Sequence, residues 1–86
     1  MPDTLDDPEP QKIAKGVYRH NKTGNLYEVI GVALHSETSE QVVVYRPLYE
    51  SRYELYVRPF DMFVEQVKIG EKMLPRFEMI DTQNNS

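Results

Sequence analysis

Leu26-Tyr27-Glu28-Val29-Ile30-Gly31-Val32-Ala33-Leu34-His35 is an unbroken run of mostly β-branched, aliphatic and aromatic residues. Such residues fit a pleated, packed surface and lose freedom in a helix. Alternation splits the run into two faces, Tyr27, Val29, Gly31 and Ala33 against Leu26, Ile30, Val32 and Leu34. Both faces are largely apolar, so this strand belongs to a core. Gly31 in its middle predicts a bulge or sharp bend, which would let one strand serve two sheets.

The flanking segments continue the β pattern. Val17–His20 reads as a short strand, and Asn21-Lys22-Thr23-Gly24 as the turn of a hairpin, with Gly24 suited to a positive φ. After a polar loop at Ser36–Glu40, Gln41–Tyr45 is a strong strand whose hydrogen bonding ends at Pro47. Tyr53–Arg58 alternates cleanly, and Tyr53, Leu55 and Val57 are expected to face the core. Pro59 suits the first position of a helical or 3₁₀ turn near Phe60–Val64, whose Phe60, Met62 and Phe63 can plug that core. A last hairpin is expected from Glu65–Ile69, across Gly70, to Arg76–Ile80.

Short strands with frequent turn signals and no long helix predict a mainly β fold. The first choice is a strongly bent, five-stranded SH3-like barrel. The other is an open β-roll with one short helical or 3₁₀ turn. One domain is expected, over residues 13–80, between an acidic tail at 1–12 and a flexible tail at 81–86. Residues 1–12 are Pro- and Asp-rich and offer too little apolar surface to offset chain entropy.

The chain has 86 residues, no cysteine and a net charge of −4. Disulfides and thiolate zinc sites are therefore excluded, and aromatic packing must supply a thin core. The acidity lies outside the expected domain, because basic and acidic residues balance between Ile13 and Ile80. A neutral domain has no net pull on nucleic acid or anionic lipid. No apolar run is long enough to span a bilayer, and the acidic N-terminus does not resemble a secretory signal. The expected location is cytoplasmic, off the membrane.

The chemistry-bearing residues gather in four segments: Tyr18-Arg19-His20, His35-Ser36-Glu37-Thr38, Tyr45-Arg46-Pro47-Leu48-Tyr49 and Tyr56-Val57-Arg58-Pro59. Arginine offers a planar fork for carboxylate or phosphate. Tyrosine offers a flat face and a hydroxyl. The candidate binding residues are Arg19, His20, His35, Ser36, Glu37, Thr38, Tyr45, Tyr49 and Arg58. Each also has a plainer use, in packing, loop shaping, or a pair such as Arg58 with Glu54.

No catalytic residue, metal or cofactor is assigned. His20, His35 and Glu37 could ligate a metal by type, but a hairpin turning at Lys22–Gly24 puts the two histidines at opposite extremities. No serine stands in a nucleophile-elbow context and no glycine-rich loop could cradle phosphate. The expected function is a binding module for a small polar ligand, a peptide or a nucleic-acid fragment. The alternatives are a small hydrolase-like enzyme using His and Glu as acid and base, and a structural or assembly protein. The oligomeric expectation is a monomer or weak homo-oligomer.

Five pieces in order resemble the bacterial family DUF1653, a domain of unknown function. They are Gly16-x-Tyr18-Arg19-His20; Tyr27-x-Val29-x-Gly31-x-Ala33-x-His35-Ser36-Glu37-Thr38; Val43-Val44-Tyr45-x-x-Leu48-Tyr49; Arg58-Pro59-x-x-Met62-Phe63-x-Glu65; and Pro75-Arg76-Phe77. Thr23-Gly24 stands where members often have Lys-Gly, and Tyr56 lies near where they often carry Trp. The resemblance implies a short, cytosolic, β-rich bacterial protein and assigns it no activity.

Overall fold

A computed structural model describes residues 8–82. The outer parts of the two expected tails, 1–7 and 83–86, lie outside the described residues. The fold is mainly β: β1 (Gly16–His20), β2 (Leu26–Leu34), β3 (Gln41–Pro47), β4 (Tyr56–Pro59), one helical turn α1 (Phe60–Phe63), β5 (Gln66–Ile69), β6 (Lys72–Pro75) and β7 (Phe77–Thr82). Five strands form one antiparallel sheet in the order β4-β3-β2-β1-β7, and β5 and β6 form a separate hairpin. The expected final hairpin is therefore corrected. Its return strand is Lys72–Pro75, and Phe77–Thr82 leaves to pair with β1 instead.

The sheet does not close into a barrel, since edge strands β4 and β7 are not paired. It is nevertheless strongly curled. Arg58 of β4 places its guanidinium carbon 5.4 Å from the ring centre of Phe77 in β7. Side chains, not backbone hydrogen bonds, bring the edges together.

The bend in β2 arises where Gly31 predicted it. Val29 opposes Tyr45 and Gly31 opposes Val44, so Ile30 is an extra residue and the register shifts. The consequence differs from simple alternation. Past the bulge, Val32 opposes Val43 and Leu34 opposes Gln41. Directly opposed residues share a face, and Val43 lies on the face of Tyr45. The inward set therefore runs Tyr27, Val29, Val32, Leu34, and both halves of β2 remain in one sheet.

The core consists of Tyr18, Tyr27, Val29, Val43, Tyr45, Phe63 and Phe77, with Ile13, Tyr56, Phe60 and Met79 packed against it. Apart from the two valines the buried members are aromatic, as a small domain without cross-links requires. Phe63 stacks on Phe77 at 4.0 Å and meets Tyr18 and Tyr45 edge-on or tilted. Met62 faces outward, so two of the three expected helical plugs are used.

The β4 face is the larger correction. Tyr53, Leu55 and Val57 are 65%, 52% and 62% exposed, and the strand begins only at Tyr56. Register explains this: Tyr45 opposes Tyr56 and Val43 opposes Arg58. Because Tyr45 and Val43 are core residues, Tyr56 and Arg58 must share their side, and Val57 must point away.

Residues 8–12 are exposed and run past β3. The backbone N–H of Gln11 donates to Gln41 Oε1 at 2.7 Å, and Gln41 Nε2 donates to the Glu9 carbonyl at 3.1 Å. At the other end, β7 continues to Thr82, past the boundary read from the sequence.

Candidate functional site

Arg58 is the centre of the candidate site. Its strand register turns it inward, where an alkyl side chain would be ordinary. The guanidinium lies over the Phe77 ring, and Nε donates to Tyr45 Oη at 3.3 Å. Cation–π attraction and one hydrogen bond offset part of its desolvation. Arg19, Arg46 and Arg76 are each paired with a carboxylate, on Glu78, Glu28 and Glu65 respectively. Arg58 has no carboxylate partner among the described residues, so the pairing with Glu54 that sequence allowed is not made.

His20 approaches from β1, opposite Phe77 of β7, with its ring edge-on at 4.7 Å. It is 9% exposed, and its Nδ1 is buried without a hydrogen-bond partner. Burial holds its pKa below the ordinary value, and the charges of Arg58, Arg76 and Lys22 push it further down. Arg76 stands beside Phe77, tied to Glu65 by an ion pair and by its backbone N–H to the Glu65 carbonyl at 2.9 Å. Its Nε is likewise buried and unpartnered. The corner formed by β1, β4 and the start of β7 thus sets Arg58, Arg76 and Lys22 around His20, with two paired carboxylates, Glu65 on Arg76 and Glu78 on Arg19.

Tyrosine hydroxyls border this corner. Tyr27 contacts both Phe77 and Tyr45 through its ring and shares a hydrogen bond of 3.0 Å with Tyr49 through its hydroxyl. Ser51 Oγ and Tyr56 Oη are 2.8 Å apart. The bonds to Tyr27 and then Tyr56 hold the Tyr49 pKa above the phenol range, whereas those from Ser51 and Tyr49 lower that of Tyr56. Tyr49 and Ser51 also line a shallow groove of about 390 Å³ with Arg46, Pro47, Tyr53, Glu54 and Leu55.

Of the nine candidate residues, the fold brings together His20, Tyr45 and Arg58 around Phe77, with Tyr49 reached through Tyr27. The others do not join them. Arg19 pairs with Glu78 and donates to Asn21 Oδ1 at 3.0 Å, bracing the β1–β7 edge. His35, Ser36, Glu37 and Thr38 are exposed in the β2–β3 loop. That loop lies at the far end of β2 from Tyr27, on the order of 25 Å away along the strand. There His35 Nδ1 accepts the backbone N–H groups of Glu37 at 3.1 Å and Thr38 at 3.3 Å, while Thr38 Oγ1 accepts that of Glu40 at 3.2 Å. These bonds shape a tight loop whose Ser39 takes φ 63°. One cleft built from all four segments is therefore not formed.

His35 meets the backbone of Glu37, not its carboxylate, and His20 faces cations. No group of three or more His, Asp and Glu that could hold a metal ion is present among the described residues. Sequence reasoning missed Arg76, Phe77, Tyr27 and Ser51 as site members. Only the adjacent Pro75-Arg76-Phe77 signalled two of them, and Tyr27 read simply as core.

No helix among the described residues is long and apolar enough to cross a membrane. No curated protein matches the chain. A crystal structure of a DUF1653 protein from Bordetella bronchiseptica superposes with a TM-score of 0.77 at 34% identity, covering 91% of this chain and 100% of that one. The family model described as "Protein of unknown function (DUF1653)" matches residues 16–79, from β1 to the first half of β7, and the chain belongs to that family.

Proposed function

We propose that this chain is a binding module that seats the anionic group of a small polar ligand on Arg58. The observation that carries the reading is the contrast among its arginines. Of the five, three are neutralised by carboxylates and the unpaired Arg52 is exposed, while Arg58 is turned inward over Phe77 with only its Nε committed. Its two terminal nitrogens retain the planar, bidentate geometry that carboxylate and phosphate oxygens match. Lys22, which has no ion pair among the described residues, adds to the local positive potential felt at His20. Tyr49 and Tyr56, which are less buried than Tyr27, offer ring surface and hydroxyls to the rest of the ligand. Fixed aromatic rings with a few converging polar groups are what small-ligand sites commonly use.

The test is thermal unfolding of the full chain titrated with inorganic phosphate, acetate and benzoate. At ten times its Kd, a ligand bound only by the folded state stabilises by about 1.4 kcal/mol, which raises Tm by roughly 5–10 °C in a domain of this size. The expected result is a saturable rise for at least one of the three with the native chain. The rise is lost in Arg58→Met and weakened in Arg58→Lys, which keeps charge without the fork. Equal responses from the native chain and folded Arg58→Met would sink the reading.

A further inference from the structure

Burial encoded in a sequence but not supplied by its own fold calls for another surface. Tyr53, Leu55 and Val57 alternate with Glu54 and Tyr56 along the sequence, and folding leaves all three in water. Leu48 and Tyr49 are exposed in the same stretch, so large apolar side chains crowd into residues 48–57. Such concentration on a small domain marks a contact surface. β4 is also an edge strand, paired only with β3, and its other backbone edge is open.

We infer that this surface, the β3–β4 loop with the outer face of β4, is where a second copy of the chain docks. The charge pattern favours a copy over an unrelated partner. Arg52 and Glu54 flank Tyr53, are exposed, and make no ion pair among the described residues. A two-fold contact is self-complementary, so residue i meets residue j and j meets i. An antiparallel contact centred on Tyr53 sets Arg52 of each copy against Glu54 of the other and Tyr53 against Tyr53. Leu55 and Val57 then cover apolar surface beside that centre. The loop is its own complement in charge as well as hydropathy, and both charges find the partners they lack in the single chain.

The size of the patch sets the strength. A standard stable interface uses about 20–30 residues a side, and this stretch supplies at most half of that. The dimer is therefore reversible, and the inference does not depend on an anion binding at Arg58.

The experiment is sedimentation equilibrium of the full chain over concentrations up to about 1 mM, with circular dichroism verifying that each variant is folded. The native chain is expected to show a concentration-dependent monomer–dimer equilibrium. Leu55→Asp and Tyr53→Asp each change exposed residues and should weaken it by about tenfold or more. Arg52→Glu alone and Glu54→Arg alone should weaken it, and the double swap should restore it, because complementarity returns. Three results would each overturn the inference. One is a native chain that stays monomeric throughout, which would leave the patch to a different protein. Another is a dimer indifferent to Tyr53 and Leu55. The third is a double swap no better than its single components.

Discussion

At His20 the ring is nearly buried against Phe77, and the charged groups that act on it, Arg58, Arg76 and Lys22, are all cations. Both burial and charge penalise the imidazolium, so the folded pKa lies below the ordinary value of 6.5. Between those two values the unfolded chain binds a proton that the folded chain refuses. Stability is then fully present above about pH 6.5 and is lost as pH falls toward the folded value. Urea midpoints measured from pH 8 to pH 5 should fall below about 6.5 in the native chain. The decline in that window should shrink in His20→Gln, which keeps polar groups without the titration. An unchanged slope would show that His20 is not the sensor. His20 was legible in the sequence as a polar residue of interest, though not its setting. The cations that face it come from β4, from the turn after β1 and from the bend between β6 and β7, and no local pattern links those positions.

Turns and strands at the scale of single elements were readable where backbone geometry makes the choice. Gly24 takes φ 83° in the β1–β2 turn, and a Cβ at this position would meet no heavy atom within 4 Å. Gly24→Ala should therefore cost only the left-handed backbone penalty, about 1–2 kcal/mol, and Gly24→Asn distinctly less, since Asn tolerates that region. Chemical denaturation of both variants checks the difference, and equal losses would mean that the turn is held by something other than φ. The bulge in β2 falls beside Gly31, as the sequence suggested, although Gly31 itself takes no positive φ. The bulge's effect on the faces was not legible, because one extra residue exchanges every later side chain between core and solvent. Tyr53–Arg58 failed differently. Alternation shows that one face is apolar, but pairing with β3 decides which face turns inward, and here it selected Tyr56 and Arg58. An arginine at a core-facing position is a local conflict of the kind that binding sites create. It is the one inward charge on β4, and its aromatic support arrives from the opposite edge of the sheet.

Over the whole molecule, curvature joins elements that are distant in sequence, and Phe63 is where they meet. The single turn α1 is too short to be stable alone, so it is fixed by what Phe63 touches. That ring is 1% exposed and contacts Tyr18 of β1, Tyr45 of β3 and Phe77 of β7. Those strands belong to the middle and to one edge of the curled sheet, and Phe77 also supports Arg58 and His20. Truncation at this position removes more than one pair of contacts. Phe→Ala in a packed core costs about 3–5 kcal/mol, against a total stability of about 5–15 kcal/mol for a domain. Phe63→Ala should therefore lower the urea midpoint severely or leave part of the chain unfolded at rest. Phe63→Leu, which keeps most of the volume, should retain the fold with a smaller loss. Met62→Ala, one residue away on the exposed side of the same turn, should change stability by about 0.5 kcal/mol or less. The three measurements separate helix propensity from core packing. If Met62→Ala were as costly as Phe63→Ala, the turn itself would be holding the sheet in its curl. If only Phe63 matters, the curl is held by aromatic packing. In that case Phe63→Leu should also weaken any anion response at Arg58, because the Phe77 ring beneath the guanidinium loses its stacking partner.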